Sequence, residues 1–266
     1  MSFEIVRHAF VMVFGNLRDS IKVSLVPLLL TVLATFVMPP LFGLSTADVA
    51  MAANVQAMME GHPAGPMASV VGLLLAALYF FSMSWIAVGW HRFILLEEYP
   101  RLLPQLPLPE VLGYLGRSFA IGVVVVIAGI PVGLIGGAAV GPFAAGGSVL
   151  IALVVIVLMA SILTHVWLRF GIVLPAAAVG QPMPLLAGWR ISGPIGGTIF
   201  TVSLVLVALN LGINMTVPPL LGGIPIIGQL VTLAVSWTTL MVGTSILTRS
   251  EEHTSELQSR PHISYA

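Results

Sequence analysis

The hydrophobic pattern of the chain is a series of long apolar runs divided by short polar stretches. Six runs reach the roughly 20 residues that a helix needs to cross a bilayer: 23–44, 68–90, 119–140, 148–168, 194–217 and 224–248. None has an Asp, Glu, Lys or Arg in its central part. The pattern predicts an all-α polytopic membrane bundle of six spans.

The polar stretches are themselves patterned. Phe3, Val6, Phe10, Val13, Phe14 and Leu17 recur at helical spacing, with Glu4, Arg7, Arg18 and Asp19 elsewhere on the wheel. This predicts an amphipathic helix lying in the interface before the first span. Ser45 is placed to cap a short helix over 46–60, closed by Gly61 and Pro63.

Composition narrows the class. Charged residues make up 8% of the 266 and hydrophobic ones 58%, whereas soluble domains carry about 25% charged residues; a water-soluble enzyme is excluded. There is no cysteine, so no disulfide or thiolate site can form. Ten Lys+Arg balance ten Asp+Glu, which gives no reason to expect a nucleic-acid partner. One Lys against nine Arg, with abundant Ala, Gly and Val, points to a GC-rich bacterial genome and hence to a bacterial inner membrane.

The placement of charge is more informative than its sum. Arg7, Arg18 and Lys22 precede the first run, Arg92, Arg101 and Arg117 lie between the second and third, and Arg169 and Arg190 lie between the fourth and fifth. The other three connections hold no Lys or Arg. By the positive-inside rule the basic side is cytoplasmic, and six spans put both ends there. The first run reads as a retained span rather than a cleaved signal, because its basic leader exceeds 20 residues and the run extends through Pro39-Pro40.

From Arg249 the character changes abruptly. Arg249 to Ser259 back-translates into the start of a short-read sequencing adapter, Ile263 to Ala266 into its next constant stretch, and Arg260-Pro261-His262 falls on the barcode between them. Residues 249–266 are therefore expected to be a non-native, disordered tail, leaving a single membrane domain over 1–248. Without the tail, eight basic and seven acidic residues remain.

An internal repeat is expected. Trp90-His91-Arg92-Phe93 ends the second run and Trp167-Leu168-Arg169-Phe170 the fourth; Pro107-Leu108-Pro109, Gly113 and Arg117 parallel Pro182-Met183-Pro184, Gly188 and Arg190. The unit is a short interfacial helix followed by a two-span hairpin, like the parallel repeats of some transporters. The Trp-x-Arg-Phe exit, the Leu174-Pro175-Ala176-Ala177 stretch and the Gly-Trp-Arg-x-Ser helix at 188–192 resemble the YciC-like inner-membrane proteins. They are also similar to the membrane domain fused to some glycerophosphodiester phosphodiesterases. The resemblance implies a six-helix bundle with no catalytic residues to carry over; the soluble phosphodiesterase domain is absent, so hydrolysis is not implied.

Candidate chemistry is sparse. Gly129, Gly133, Gly137 and Gly141 fall on one stripe of the third run and predict a helix-packing seam, with Pro131 bending the same helix. Asn210 and Asn214 share a face of the fifth run, with Gln229, Thr232 and Ser236 as partners on the sixth, either as helix glue or as a polar cavity lining. His165 is expected to make an interhelical or interfacial contact. Arg92, Arg117, Arg169 and Arg190 serve to set topology or to hold lipid headgroups. Met51, Met58, Met59 and Met67 beside His62 read as apolar side chains at the lipid surface rather than as a copper site.

Glu97-Glu98-Tyr99-Pro100-Arg101 is reminiscent of the paired glutamates of CAAX-type membrane proteases, but its Arg is one residue too close, and it reads as a solvated loop. No nucleophile elbow, zinc-protease or phosphate-loop motif is present, so no catalytic residue, metal or cofactor is expected. The expected partners are membrane lipids, with a second copy or another membrane protein. Two functions follow: a non-enzymatic, lipid-associated or scaffolding protein, or a small-solute or lipid transporter.

Overall fold

The structure, a computed structural model, describes residues 2–52, 65–101, 105–146, 148–221, 231 and 233–248. The expected tail, Gln229, Thr232, Met58, Met59 and His62 lie outside these residues. All regular structure among the described residues is helical. The helices are α1 (Ser2–Gly15), α2 (Leu17–Leu41), α3 (Thr46–Ala52), α4 (Pro66–Leu96), α5 (Leu108–Ala145), α6 (Val149–Gly171), α7 (Val173–Ala178) and α8 (Leu185–Ile191). A 3-10 turn (Gly193–Ile195), α9 (Gly196–Leu221) and the final helix α10 (Leu233–Thr248) complete the order. Helices α2, α4, α5, α6 and α9 are long and apolar enough to cross a membrane, and α10 is a shorter apolar helix. The protein is thus an all-α, multi-pass membrane bundle.

Local chemistry sets the breaks. Asn16 separates α1 from α2, and its Nδ2 donates to the Met12 carbonyl at 2.9 Å. Such side-chain bonding competes with continuation of the helix. Between α8 and α9 the break falls at Gly193-Pro194, where Pro194 lacks the N–H a continuing helix would use. No comparable break precedes the third span. The expected interfacial segment there runs without interruption into the membrane helix, giving the 38-residue α5 with Pro131 and Pro142 inside it. Ser45 caps α3: its Oγ accepts from the Asp48 N–H at 3.2 Å while Asp48 Oδ2 accepts from the Ser45 N–H at 2.7 Å. This reciprocal pair is a capping box, and the bonds from Ser45 hold the Asp48 carboxyl below its ordinary value.

The core gathers at one end of the bundle. Its largest fully buried side chains include Trp90, Ile86 and His91 of α4, Ile121 of α5, Leu174 of α7 and Met241 of α10. Toward the opposite end Leu33, Phe36, Leu73, Leu134 and Leu150 are exposed, the expected state of side chains that face lipid. The buried end is also the basic end, because Arg92, Arg117, Arg169 and Arg190 flank the same helix termini.

Two sequence expectations meet a different arrangement. Helix α1 does not simply rest on lipid: Val6, Ala9 and Val13 are buried in the main core, while Phe3, Val11 and Phe14 on its other side stay exposed. The helix is wedged against α9 and α2. Among the described residues the glycine stripe of α5 is not a seam. A Cβ on Gly133, Gly137 or Gly141 would meet nothing within 4 Å, and one on Gly129 would only touch Leu163 at 3.9 Å. The close approach of α5 to α6 is at Gly136, where a Cβ would lie 3.0 Å from Met159. The stripe was inferred from spacing alone, and spacing does not say which face meets the neighbour. Gly133→Leu is therefore expected to leave the melting temperature of the monomer in detergent within about 2 °C, as surface substitutions do, whereas Gly136→Leu should lower it.

Candidate functional site

The arginines come first, because they bind protein. Arg92 grips Glu98 with two parallel bonds of 2.8 Å, and its Nη1 lies 3.4 Å from both Glu110 Oε1 and the Ala178 carbonyl. One side chain thus ties the end of α4 to α5 and α7. Glu98 is not a free loop carboxylate, and Glu97 ends α4 in the left-handed conformation, with φ 54°. Arg169 donates from Nε to Ser192 Oγ at 2.9 Å and from Nη2 to the Trp189 carbonyl at 2.6 Å, and its guanidinium stacks 3.7 Å above the Trp189 ring. That contact pins α8 to the end of α6. Arg117 returns to the Gly113 carbonyl of its own helix at 3.0 Å, and Arg190 is exposed. Three of the four headgroup candidates are therefore engaged within the fold.

The two Trp-x-Arg-Phe exits behave alike. In each, the residue before the arginine is buried, His91 fully and Leu168 nearly so, while the arginine staples the helices that follow. Sequence reasoning treated His91 as part of a motif and missed it as a core residue. Its Nδ1 lies 2.9 Å from Thr248 Oγ1 and its ring sits 5.8 Å from that of Tyr114. Its neighbour Trp90 donates to Ser245 Oγ at 2.9 Å. The signal available was the pair Ser245 and Thr248 on α10, close to one helical turn apart, both meeting the end of α4. His165 packs edge-on to Phe200 at 5.7 Å.

A cavity lies elsewhere, between α6, α9 and α10. It is a groove of about 800 Å³, open at the side. Its lining on α10 runs from Val231 to Leu247, roughly 24 Å at 1.5 Å per residue, most of the roughly 30 Å hydrocarbon thickness. At the basic end it is closed by Phe10 of α1, Tyr114 of α5 and Leu174 of α7. Most of the wall is aliphatic. Thr238, Thr239 and Thr244 also line it, but each hydroxyl is bonded to a carbonyl of its own helix at 2.8 to 3.1 Å. Among the described residues no Asp, Glu, Lys or Arg lines it.

Asn210 and Asn214 reach this groove from α9, near its far end. Asn214 Nδ2 donates to the Asn210 carbonyl at 2.8 Å and to Asn210 Oδ1 at 3.0 Å. Ser236 is exposed and does not line the groove. Gly243 does, and a Cβ there would meet nothing within 4 Å. The arrangement is a long apolar slot with one hydrogen-bonding pair, suited to an extended hydrocarbon chain rather than to an ion or a charged solute. No protein-family model, no curated protein and no solved structure matches the chain.

Proposed function

We propose that this is a non-enzymatic, lipid-associated integral membrane protein of the bacterial inner membrane, with both ends cytoplasmic. The observation that carries the reading is the side-open apolar groove between α6, α9 and α10. In a bilayer a slot of this kind opens onto acyl chains, and its aliphatic wall holds them by van der Waals packing. The confinement of all eight native basic residues to one side supports the orientation. The similar Trp-x-Arg-Phe exits, and the short helix before each of α2 and α9, support a fold made of repeated units and the likeness to YciC-like proteins.

The second reading, a lipid transporter, is favoured by the length of the groove, which extends from Asn214 to the core end. Passage of a small polar solute is disfavoured by the same aliphatic wall. Gly243→Leu projects a side chain into the slot, and its Cβ meets nothing within 4 Å. Native mass spectrometry of the full chain from mild detergent is expected to find bound lipid on the wild type and at least tenfold less on Gly243→Leu; equal lipid on both would refute the reading. Reconstitution with a fluorescent phospholipid then separates the two functions, since a transporter moves the probe between leaflets and a lipid-associated protein does not.

A further inference from the structure

Asn210 and Asn214 lie inside the apolar stretch Gly193–Thr216, yet both side chains are exposed. Their mutual contact uses the Nδ2 of Asn214 and the oxygens of Asn210. It leaves Asn210 Nδ2, a donor, and Asn214 Oδ1, an acceptor, without a partner among the described residues. At hydrocarbon depth there is no bulk water to satisfy them, and an unpaired amide is costly. The hydroxyl protons of Thr238 and Thr239 go to carbonyls of their own helix, so neither is free to donate to Asn214 Oδ1. Among the described residues the groove therefore presents the free Nδ2 group of Asn210 and the free Oδ1 of Asn214 at the head of a long apolar slot with no charged side chain in its described lining.

Resting on the lipid-binding reading above, we propose that the groove selects the glycerol-ester region of a glycerolipid. An ester carbonyl accepts from Asn210 Nδ2, a free glycerol hydroxyl donates to Asn214 Oδ1, and the acyl chain runs along α10 toward Tyr114 and Phe10. The described lining holds no cation and so offers a phosphate no charge partner. The ligand class is a lipid with an ester and a free hydroxyl close to its chains, diacylglycerol being the simplest.

The test compares dioleoylglycerol with its dialkyl ether analogue, which keeps the hydroxyl but lacks the carbonyl. The full chain is placed in phosphatidylethanolamine nanodiscs containing equal amounts of both, and bound lipid is read by native mass spectrometry. Wild type is expected to retain the ester roughly three- to tenfold over the ether, the worth of one hydrogen bond. Asn210→Leu should abolish the preference while still binding both, since the apolar slot is intact. Gly243→Leu should lose both. Equal retention of ester and ether by wild type, with Gly243→Leu still excluding both, overturns the assignment at Asn210 and Asn214 but leaves the groove reading standing. Undiminished binding by Gly243→Leu overturns the groove reading itself. A wild-type dimer that becomes monomeric in Asn210→Leu/Asn214→Leu, with no ester preference in either, shows that the amides face a second copy and overturns the proposal.

Discussion

Trp90→Ala is expected to be among the most damaging single substitutions in this protein, costing about 3–5 kcal/mol as buried aromatic truncations do. Trp90 is fully buried, donates from Nε1 to Ser245 Oγ at 2.9 Å, and its ring lies 5.4 Å from that of Phe93. Truncation would empty the junction of α4 and α10 and remove a hydrogen bond that links positions 155 apart in the chain. Trp90→Phe should cost less. Ser245 Oγ keeps its bond to the Met241 carbonyl at 2.8 Å, so no buried hydroxyl is orphaned and the loss is mainly volume. The measurement is the unfolding midpoint of the full chain in detergent, titrated with SDS. A tryptophan serving only as an interfacial anchor would give a loss under about 1 kcal/mol for Trp90→Ala, and that outcome would refute the core assignment.

Gly188→Leu should rank beside it, for a different reason. A Cβ at position 188 would lie 3.0 Å from the carbonyl oxygens of Arg169 and Phe170 and 3.0 Å from Val173 Cγ1. Backbone oxygens cannot rotate away, so α8 must lift off the end of α6. Overpacking of this kind costs about 1–3 kcal/mol, occasionally more. Lifting α8 also separates Arg169 from Ser192 and from the face of Trp189. Gly188→Leu should therefore lower the SDS midpoint and speed limited proteolysis in the stretch between α7 and α8. Gly116→Ala is the control: the site is exposed, a Cβ there meets nothing within 4 Å, and a mid-helix Gly→Ala change gains up to about 1 kcal/mol. Equal behaviour of the two variants would show that α8 is not clamped at Gly188.

Both predictions depend on which side of a helix faces a neighbour, and this is where the sequence reading stopped. The spans were legible because a run of about 20 uncharged apolar residues has few other stable environments. The cap at Ser45 was legible because its chemistry is local. The glycine stripe of α5 was legible as a face but not as a contact: four glycines at a spacing of four define a face, and a membrane helix can turn such a face to lipid as readily as to protein. In soluble proteins the apolar face marks the core. Here the apolar residues surround every span, and that cue is missing.

Polar positions partly replaced it. Asn210 and Asn214 were singled out because amides are rare and costly at that depth, and they line the groove. Gln229 and Thr232, expected as their partners, lie outside the described residues. The arginines were legible as a set that marks one side of the membrane, but not as staples, because Glu98, Glu110, Ser192 and Trp189 reach them only after the helices pack.

The sequence alone determined the all-helical class, the positions of the five long apolar helices, and the segregation of basic residues to one side; the sixth run, 224–248, forms a shorter apolar helix within the described residues. These follow from backbone hydrogen bonding and charge solvation, which act on each segment independently of its neighbours. Only the tertiary structure decided that the core gathers at the basic end, that His91 and Trp90 belong to it, that α1 is wedged into the bundle, and that an apolar slot opens between α6, α9 and α10. Those are properties of relative helix rotation, set by side-chain fit between segments far apart in the chain, and no periodicity within one segment encodes them.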